Sequence, residues 1–83
     1  MDLAPIVIAN NSNQTCDVKI RYKDGTCAEE SFRIHPTSQY GSRSDCKIVK
    51  IEAQQCMNEL NFPDGTDERN FEITPNLNIQ VRR

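Results

Sequence analysis

Strict alternation of apolar and polar side chains is the feature that most constrains this chain. From Cys16 to Tyr22 every second residue is apolar, and the residues between them are charged. Successive side chains of a β-strand point to opposite faces of a sheet, so this pattern is typical of a strand with one buried face. Similar short runs recur along the chain, and no segment sustains the 3.6-residue period of a one-sided helix. The pattern therefore predicts an all-β fold.

Segments rich in Asn, Asp, Gly and Pro separate the alternating runs and predict turns between short strands. The predicted strands number about seven and span 5–9, 16–22, 26–35, 46–53, 57–62, 70–74 and 77–82. At 83 residues the chain has room for a single domain, 1–83. Strands at this spacing indicate a small two-sheet antiparallel β-sandwich, immunoglobulin-like in the loose sense. A small β-barrel is the alternative.

The first predicted hairpin determines which side chains face the core. The tripeptide 23–25, Lys-Asp-Gly, suits a type I turn followed by a left-handed glycine. This turn sets Cys16 opposite Phe32 and Lys19 opposite Glu29. A slip of one residue would turn the apolar side chains to solvent, which is strongly disfavoured. The side chains expected on the core face are Val18, Ile20, Tyr22, Ala28, Phe32 and Ile34.

Four cysteines in so short a chain indicate a disulfide framework. Bridges of this kind compensate for the thin core of a small domain. The expected hairpin places Cys16 and Cys27 at opposite ends, which excludes a bridge between them. Two connectivities remain, and a simple reversal of the chain at 36–45 favours Cys16–Cys46 and Cys27–Cys56. Against this pairing, alternation along the fourth predicted strand turns Cys46 to the opposite face of that strand.

The cysteines also bear on location and on the class of partner. Disulfides persist in oxidising compartments, so we expect a secreted, extracellular domain, with a cytoplasmic protein carrying free thiols as the alternative. Residues 1–5 lack the basic and apolar regions of a signal peptide, so a secreted chain is expected in its mature form. The formal net charge of −2 argues against nucleic acid or an anionic membrane surface as the partner.

Candidate catalytic and metal-binding residues are few. His35, the only histidine, precedes Pro36 and is expected to be solvated at a strand end. Asp64, Asp67 and Glu68 gather oxygens in one loop but do not match a calcium-binding loop, and a solvated turn is expected. The cysteines lack the closely spaced pairs typical of structural zinc sites. The sequence predicts no enzyme activity, no metal and no cofactor.

Charged residues and sequons mark two further surfaces. Lys19, Arg21 and Lys23 line one strand face and, with Arg33, could form a basic strip. Glu29 and Glu30 lie across from them and predict a mixed-charge solvent face instead. Two N-glycosylation sequons, 10–12 and 13–15, fall in one predicted loop, and their candidate acceptors are Asn10 and Asn13.

The sequence predicts a domain that binds another protein through loops at one end. Following the predicted strands up and down places loops 10–15, 36–45 and 63–69 together at that end. Tyr40 and Arg43 in the second loop and Arg69 in the third are types enriched at binding hot spots. These three residues are the predicted partner-binding site.

The sequence thus predicts a non-enzymatic, protein-binding module of the inhibitor, receptor-binding or pathogen-effector kind. The alternative is a structural or assembly subunit that associates through exposed sheet edges. The C-terminal predicted strand, 77–81, is the favoured edge for such an association.

Overall fold

The chain folds into two four-stranded β-sheets that pack face to face. The computed structural model describes residues 4–25, 27–42 and 44–83. Sheet A has the strand order β4-β1-β7-β8, and sheet B has the order β3-β2-β5-β6. The predicted all-β sandwich is confirmed, and the described strands form two separate sheets instead of a closed barrel. The strands are β1 (Ile6–Asn10), β2 (Cys16–Tyr22), β3 (Glu30–Ile34), β4 (Gln39–Ser42), β5 (Ile48–Ala53), β6 (Leu60–Thr66), β7 (Asn70–Ile73) and β8 (Ile79–Val81).

The core lies between the sheets and follows the alternation read from the sequence. Along β2 the side chains of Val18, Ile20 and Tyr22 are buried, whereas Lys19 and Arg21 are exposed. Removing such apolar surface from water is the main stabilising term, at roughly 25 cal/mol per Å². The buried cluster contains Ile6, Ile8, Phe71, Ile73 and Ile79 from sheet A, and Cys16, Val18, Ile20, Tyr22, Ile34, Ile48, Ile51 and Ala53 from sheet B. Among the described residues no helix is long and apolar enough to cross a membrane.

The β2–β3 hairpin has the predicted faces in a different register. Cys16 lies opposite Ile34 instead of Phe32, and Lys19 lies opposite Ser31. The register differs by two residues, and because side chains alternate with a period of two, each keeps its predicted face. The predicted faces of the residues within β2 and β3 were therefore right, although the predicted cross-strand pairs were wrong.

The error in register comes from the connection between β2 and β3. The predicted tight turn at 23–25 is replaced by a longer segment, 23–29, and β3 begins at Glu30. Gly25 does not adopt the predicted left-handed conformation. Ala28 is exposed in this segment and not part of the core face. The inward position opposite Ile20, which the predicted register gave to Ala28, is occupied by Glu30.

Strand β4 lies inside the segment 36–45 that the sequence analysis treats as a loop. It pairs antiparallel with β1, with Ile8 opposite Tyr40. Its sequence, Gln-Tyr-Gly-Ser, is short and lacks the alternation that marks the other strands. This additional strand reverses the chain once more, so every later connection lies at the opposite end from the one predicted.

The loops are consequently divided differently between the two ends of the sandwich. The predicted grouping of 10–15, 36–45 and 63–69 at one end is wrong, because the strand directions separate these segments. We define the upper end by segments 11–15, 35–38, 54–59 and 74–78. We define the lower end by the described residues of segments 23–25, 27–29, 44–47 and 67–69.

Sheet A is mixed, which the sequence analysis did not anticipate. Strand β1 is central, with Ile8 antiparallel to Tyr40 on one side and parallel to Phe71 on the other. Sheet B is antiparallel throughout, as predicted. The parallel pairing joins strands from near the two ends of the chain.

The first part of the predicted loop 63–69 lies within strand β6, as an irregularity. The register between β5 and β6 shifts between Ile48 and Lys50, and this accommodates the extra residues of β6. Gly65 has a φ of 81°, and a Cβ there would lie 2.9 Å from the Cβ of Lys47. Since β6 is an edge strand, Pro63, which lacks a backbone N–H, removes no hydrogen bond between two central strands.

Candidate functional site

The outer face of sheet B carries an open depression of about 830 Å³. It lies over strands β2, β3 and β5, and its polar lining residues on β2 and β3 occupy the outward positions of the alternating pattern. We call this surface the sheet B depression and define it by its polar lining residues, Asp17, Lys19, Ser31, Arg33, Glu52 and Gln54. The depression thus combines acidic, basic and neutral polar side chains on one regular sheet.

Exposed ion pairs arrange the charges around this depression. Arg33 Nε lies 3.0 Å from an Asp17 carboxylate oxygen. Glu29 accepts a hydrogen bond from Arg21 Nε at 3.2 Å and forms an ion pair with Lys19 Nζ at 3.9 Å. The Lys19–Glu29 pair was predicted from directly opposed positions, but it forms diagonally across the strands. Exposed pairs contribute little to stability, so their groups are free to exchange partners. The outer face thus carries both signs of charge, as expected, but Glu30, predicted to be part of it, faces inward.

Asp17 links the depression to the turn after β5. Its carboxylate accepts from Gln55 Nε2 at 2.9 Å, and its backbone N–H donates to Gln55 Oε1 at 2.8 Å. The hydrogen bond from Gln55, followed by that from Arg33, lowers the pKa of Asp17 below its ordinary value. One rim of the depression is therefore negatively charged at neutral pH and held in a fixed orientation.

A second group of charges lies on the β5–β6 side of the same face. Lys50 Nζ lies 3.5 Å from Glu52 and 3.4 Å from Glu59. The hydrogen bond from Asn61, followed by that from Lys50, lowers the pKa of Glu59. Both signs of charge therefore occur together on this side of the face as well.

The structure places Tyr40 at an edge of the sandwich, half-buried on β4. Its ring stacks on Phe32, with centroids 3.5 Å apart and planes at 7°. Its hydroxyl donates to Glu30 at 2.8 Å. Both the ring and the hydroxyl of Tyr40 thus contact residues of the other sheet. Tyr40 closes this side of the core, and these contacts keep it from serving as a hot-spot residue for a partner.

Arg69 is buried at the lower end, with 6% of its surface exposed. Its Nη2 donates to the carbonyl of Cys46 at 3.1 Å, and its Nε has no partner among the described residues. Arg43, the third predicted binding residue, lies outside the described residues. The predicted cluster of Tyr40, Arg43 and Arg69 is therefore not observed as a surface.

Glu30 forms a polar cluster that sequence reasoning missed. Its carboxylate accepts from the Tyr22 hydroxyl at 2.7 Å, from Tyr40 at 2.8 Å and from Ser42 at 3.0 Å. Tyr22 and Glu30 belong to sheet B, whereas Tyr40 and Ser42 belong to sheet A. The cluster therefore joins the two sheets. The sequence signal for it was the position of Glu30, an acidic residue in the same inward-facing series as Phe32 and Ile34.

The titration of this cluster fits a structural role. Burial acts to raise the pKa of Glu30, but the three donated hydroxyls outweigh it, and the pKa is lowered below its ordinary value. Burial, followed by the hydrogen bond to Glu30, raises the pKa of Tyr22 to about 12. A carboxylate with three donors and a tyrosine that stays neutral are poorly suited to acid–base catalysis near pH 7.

Asn10 is also an inward-facing structural residue. It is fully buried, and its Nδ2 donates to the carbonyls of Gln14 at 2.8 Å and Ile34 at 2.9 Å. Because its amide nitrogen is enclosed and doubly bonded, the prediction that Asn10 is a glycan acceptor is wrong. Asn13, the acceptor of the second sequon, is exposed, and its glycosylation stays a prediction.

The residues considered for catalysis and metal binding are dispersed. His35 is exposed, and its Nδ1 lies 3.3 Å from the Thr15 hydroxyl. Asp67 pairs with Lys47 at 3.1 Å, and Glu68 pairs with the Arg83 guanidinium at 2.9 Å. Within the described part of the chain no group of three or more His, Cys, Asp or Glu side chains is placed to hold a metal ion.

The cysteines pair differently from the prediction. A disulfide joins Cys27 to Cys46 at the lower end, so the predicted pairs Cys16–Cys46 and Cys27–Cys56 are wrong. The cause is the missed strand β4, which brings segment 43–47 beside segment 23–29. Cys16 is buried as a thiol and Cys56 is a half-buried thiol.

Comparisons with known proteins identify no relative of this chain. No family model matches it, no curated protein matches its sequence, and no solved structure matches its fold. The function has to be argued from the geometry and chemistry of the surface itself.

Proposed function

We propose that this domain is a non-enzymatic module that binds another protein through the sheet B depression. The observation that carries the proposal is an 830 Å³ depression, lined by acidic, basic and amide side chains, on a sheet held by regular hydrogen bonding. A surface on paired strands is more rigid than one on loops. Less conformational entropy of this domain is therefore lost when a partner binds to it. The loop-end site predicted from the sequence is replaced by this face.

The charge pattern supports a polypeptide as the partner. The ion pairs of Arg33 with Asp17 and of Arg21 with Glu29 have side chains between 38% and 66% exposed. A protein partner with charges of both signs is able to exchange these pairs for intermolecular ones and gains register and specificity by doing so. A nucleic acid would meet acidic groups throughout the same surface.

One feature, the disulfide, favours an extracellular setting for this binding. The Cys27–Cys46 disulfide joins two segments at the lower end and is the kind of bridge that persists outside reducing compartments. We therefore propose a secreted module of the inhibitor, receptor-binding or effector kind.

The test uses charge reversals that break matched ion pairs. Arg33→Glu acts on the depression at a 3.0 Å pair, and Lys47→Glu acts on a 3.1 Å exposed pair at the lower end. Wild-type protein is used to capture a partner from extracellular fluid, and the affinity of that partner for each folded variant is measured by calorimetry. We expect Arg33→Glu to weaken binding at least tenfold, about 1.4 kcal/mol, and Lys47→Glu to leave it within twofold.

The proposal fails if every captured partner binds Arg33→Glu and Lys19→Glu as tightly as wild type. It also fails if Lys47→Glu has the larger effect, because the interface then lies at the lower end. Failure to capture any partner that distinguishes these variants counts against the proposal equally.

A specific observation favours one second candidate, assembly through the edge strand β4. The N–H of Asn10 donates to the carbonyl of Ser38 at 2.9 Å, which fixes the phase of the β1–β4 ladder. In an antiparallel ladder the intervening residues, here Gln39 and Gly41, turn their backbone groups away from the partner strand. These groups are available to an added strand.

The edge favoured by the sequence is less open. Strand β8 is an edge strand, as predicted, but Asn58 covers part of it. The Asn58 side chain donates to the carbonyl of Ile79 at 2.9 Å and accepts from the Ile79 N–H at 2.8 Å. An amide placed in this way imitates a neighbouring strand and hinders further pairing.

Light scattering at micromolar concentration tests the assembly candidate. A mass of about 9.5 kDa indicates a monomer, and a multiple of that mass supports assembly. Gln39→Pro, at the first residue of β4, removes an outward N–H without removing a bond to β1. If the protein assembles through β4, this variant is expected to be monomeric.

A further inference from the structure

The upper end of sheet B brings two thiols together. The turn after β5 is closed by the Cys56 N–H, which donates to the carbonyl of Ala53 at 3.0 Å. The same turn is attached to the start of β2 by the Gln54 N–H, which donates to the carbonyl of Asp17 at 3.0 Å. These bonds, together with the pairing of Val18 with Ala53, carry Cys56 back over the start of β2. There it packs against the buried cluster that contains Cys16.

Burial distinguishes the two cysteines. Cys16 is completely buried in the core, whereas Cys56 is half-buried and packs against the same core cluster. We infer that Cys16 and Cys56 are an oxidation site that closes to a second disulfide. Along the sequence, this second bridge encloses the Cys27–Cys46 bridge. This inference does not depend on the proposed binding function.

The two bridges would act at opposite ends of the same sheet. Cys27–Cys46 joins segments at the lower end, and Cys16–Cys56 would attach the first residue of β2 to the turn at the upper end. That turn contributes Gln54, and β2 contributes Asp17, to the sheet B depression. The second bridge therefore fixes one rim of that surface covalently.

The oxidant is a low-molecular-weight disulfide such as oxidised glutathione. The Cys56 thiolate attacks one glutathione sulfur, which forms a mixed disulfide and releases one glutathione thiolate. The Cys16 thiolate then attacks the Cys56 sulfur, forms the Cys16–Cys56 bond and releases the second glutathione thiolate. The two cysteine protons are taken up by the two released thiolates, so two protein thiols are oxidised and one glutathione disulfide is reduced to two thiols.

Cys56 reacts first because Cys16 is fully enclosed. Burial, followed by the charge of Cys16 and its hydrogen bond, raises the pKa of Cys56 to about 11. Its thiolate is therefore scarce at neutral pH, and exchange in the folded protein is slow. We expect denaturant at a concentration that opens the upper end to accelerate closure, since it exposes both thiols.

Peptide mapping tests the inference directly, because trypsin separates the four cysteines. The full chain is refolded with reduced and oxidised glutathione, denatured with an alkylating reagent but no reductant, and digested. Cleavage after Lys and Arg places Cys16, Cys27, Cys46 and Cys56 in peptides 1–19, 24–33, 44–47 and 51–69, respectively. We expect no alkylated cysteine and a cross-linked species of peptides 1–19 and 51–69.

Two variants keep the test decisive. Cys27→Ser with Cys46→Ser leaves only the upper pair and is expected to form the 1–19 to 51–69 cross-link alone. Cys16→Ser with Cys56→Ser should retain the lower bridge and lose on the order of 10 °C or more from the unfolding midpoint of the oxidised protein.

Alkylation of both Cys16 and Cys56 after equilibration with oxidised glutathione, with and without denaturant, would overturn the inference. So would a cross-link of peptide 1–19 to peptide 44–47, because it joins cysteines at opposite ends of sheet B.

Discussion

The buried amide of Asn10 donates to the carbonyl of Ile34, and this hydrogen bond joins the end of β1 in sheet A to the end of β3 in sheet B. The same amide donates to Gln14, and its Oδ1 accepts from both the N–H and the hydroxyl of Ser12. Both donors and both acceptor positions of the amide are therefore satisfied. One side chain fixes segment 11–15 and the separation of the two sheets.

Replacing this amide with a carboxylate should be severely destabilising. In Asn10→Asp, a carboxylate oxygen faces the carbonyls of Gln14 and Ile34, where two N–H donors stood. We expect a loss of about 3 kcal/mol or more in the free energy of unfolding, measured by urea denaturation at pH 7. Asn13→Asp, at an exposed position of the same segment, is the control and should change stability by less than about 0.5 kcal/mol. Equal effects from both would contradict the assigned role.

The Glu30 cluster predicts an acid-dependent contribution to stability. The pKa of Glu30 in the folded protein is lowered below its ordinary value of 4.5. Its contribution is therefore present above pH 4.5 and is lost as the pH falls through the folded pKa. Glu30→Gln should cost about 1–2 kcal/mol at pH 7, because the amide offers fewer acceptor positions to three hydroxyls.

The measurement is the difference in unfolding free energy between wild type and Glu30→Gln as a function of pH. It should be largest at neutral pH and shrink below pH 4.5. Glu29→Gln, an exposed neighbour on the outer face, should leave the stability nearly unchanged at all pH values. A difference independent of pH would show that packing, and not the charge of Glu30, stabilises the cluster.

Tyrosine titration gives an independent reading of the same cluster. Burial and Glu30 raise the pKa of Tyr22 to about 12 and also raise that of Tyr40. Because the folded pKa values lie above the ordinary value of 10, this contribution is complete below pH 10 and is lost as the pH rises towards 12. Absorbance at alkaline pH should show little tyrosinate in the folded protein at pH 10. Glu30→Gln should lower the midpoint of the Tyr22 transition, and an unchanged midpoint would contradict the contact.

The irregularity in β6 predicts a difference between two glycines. Gly65 has positive φ, and a Cβ there would lie 2.9 Å from that of Lys47. Gly65→Ala should therefore destabilise the protein by about 1–3 kcal/mol. Gly25 has open space around its Cβ position and no positive φ, so Gly25→Ala should be neutral within about 0.5 kcal/mol. Thermal unfolding of both variants compares them, and a larger effect at Gly25 would reinstate the predicted tight turn.

Much of the fold was predictable because burial imposes a period of two on strands. Strand β2 has the predicted bounds, and the inward faces of β2 and β3 were assigned correctly. The connection 23–29 was not predictable, because a turn signal at 23–25 and a longer segment give the same faces. Strand β4 gave no signal, since its pairing with β1 depends on main-chain hydrogen bonds and one aromatic contact.

The site was less predictable than the fold for a related reason. The charges of the sheet B depression were visible as the outward positions of β2 and β3. Their identification as a binding surface required the depression itself, which the sequence does not encode locally. The misplaced loops and cysteine pairs share one origin, the missed strand β4. The sequence around Asn10 matched an exposed sequon and did not reveal its burial. Asn10 donates to the carbonyls of Gln14 and Ile34, and the contact with Ile34 exists only once the two sheets pack together.

The central position of β1 in sheet A has a consequence for biosynthesis. Val7 pairs with Asn70, so β1 leaves the ribosome long before its parallel neighbour β7 exists. Until then its apolar residues, Ile6 and Ile8, have an open edge available to other nascent chains. Contacts so distant in sequence also slow folding, because the chain entropy is lost before the pairing is gained. Strand β1 is thus exposed to aggregation during synthesis. Removal of β7 would leave β1 permanently unpaired on that side.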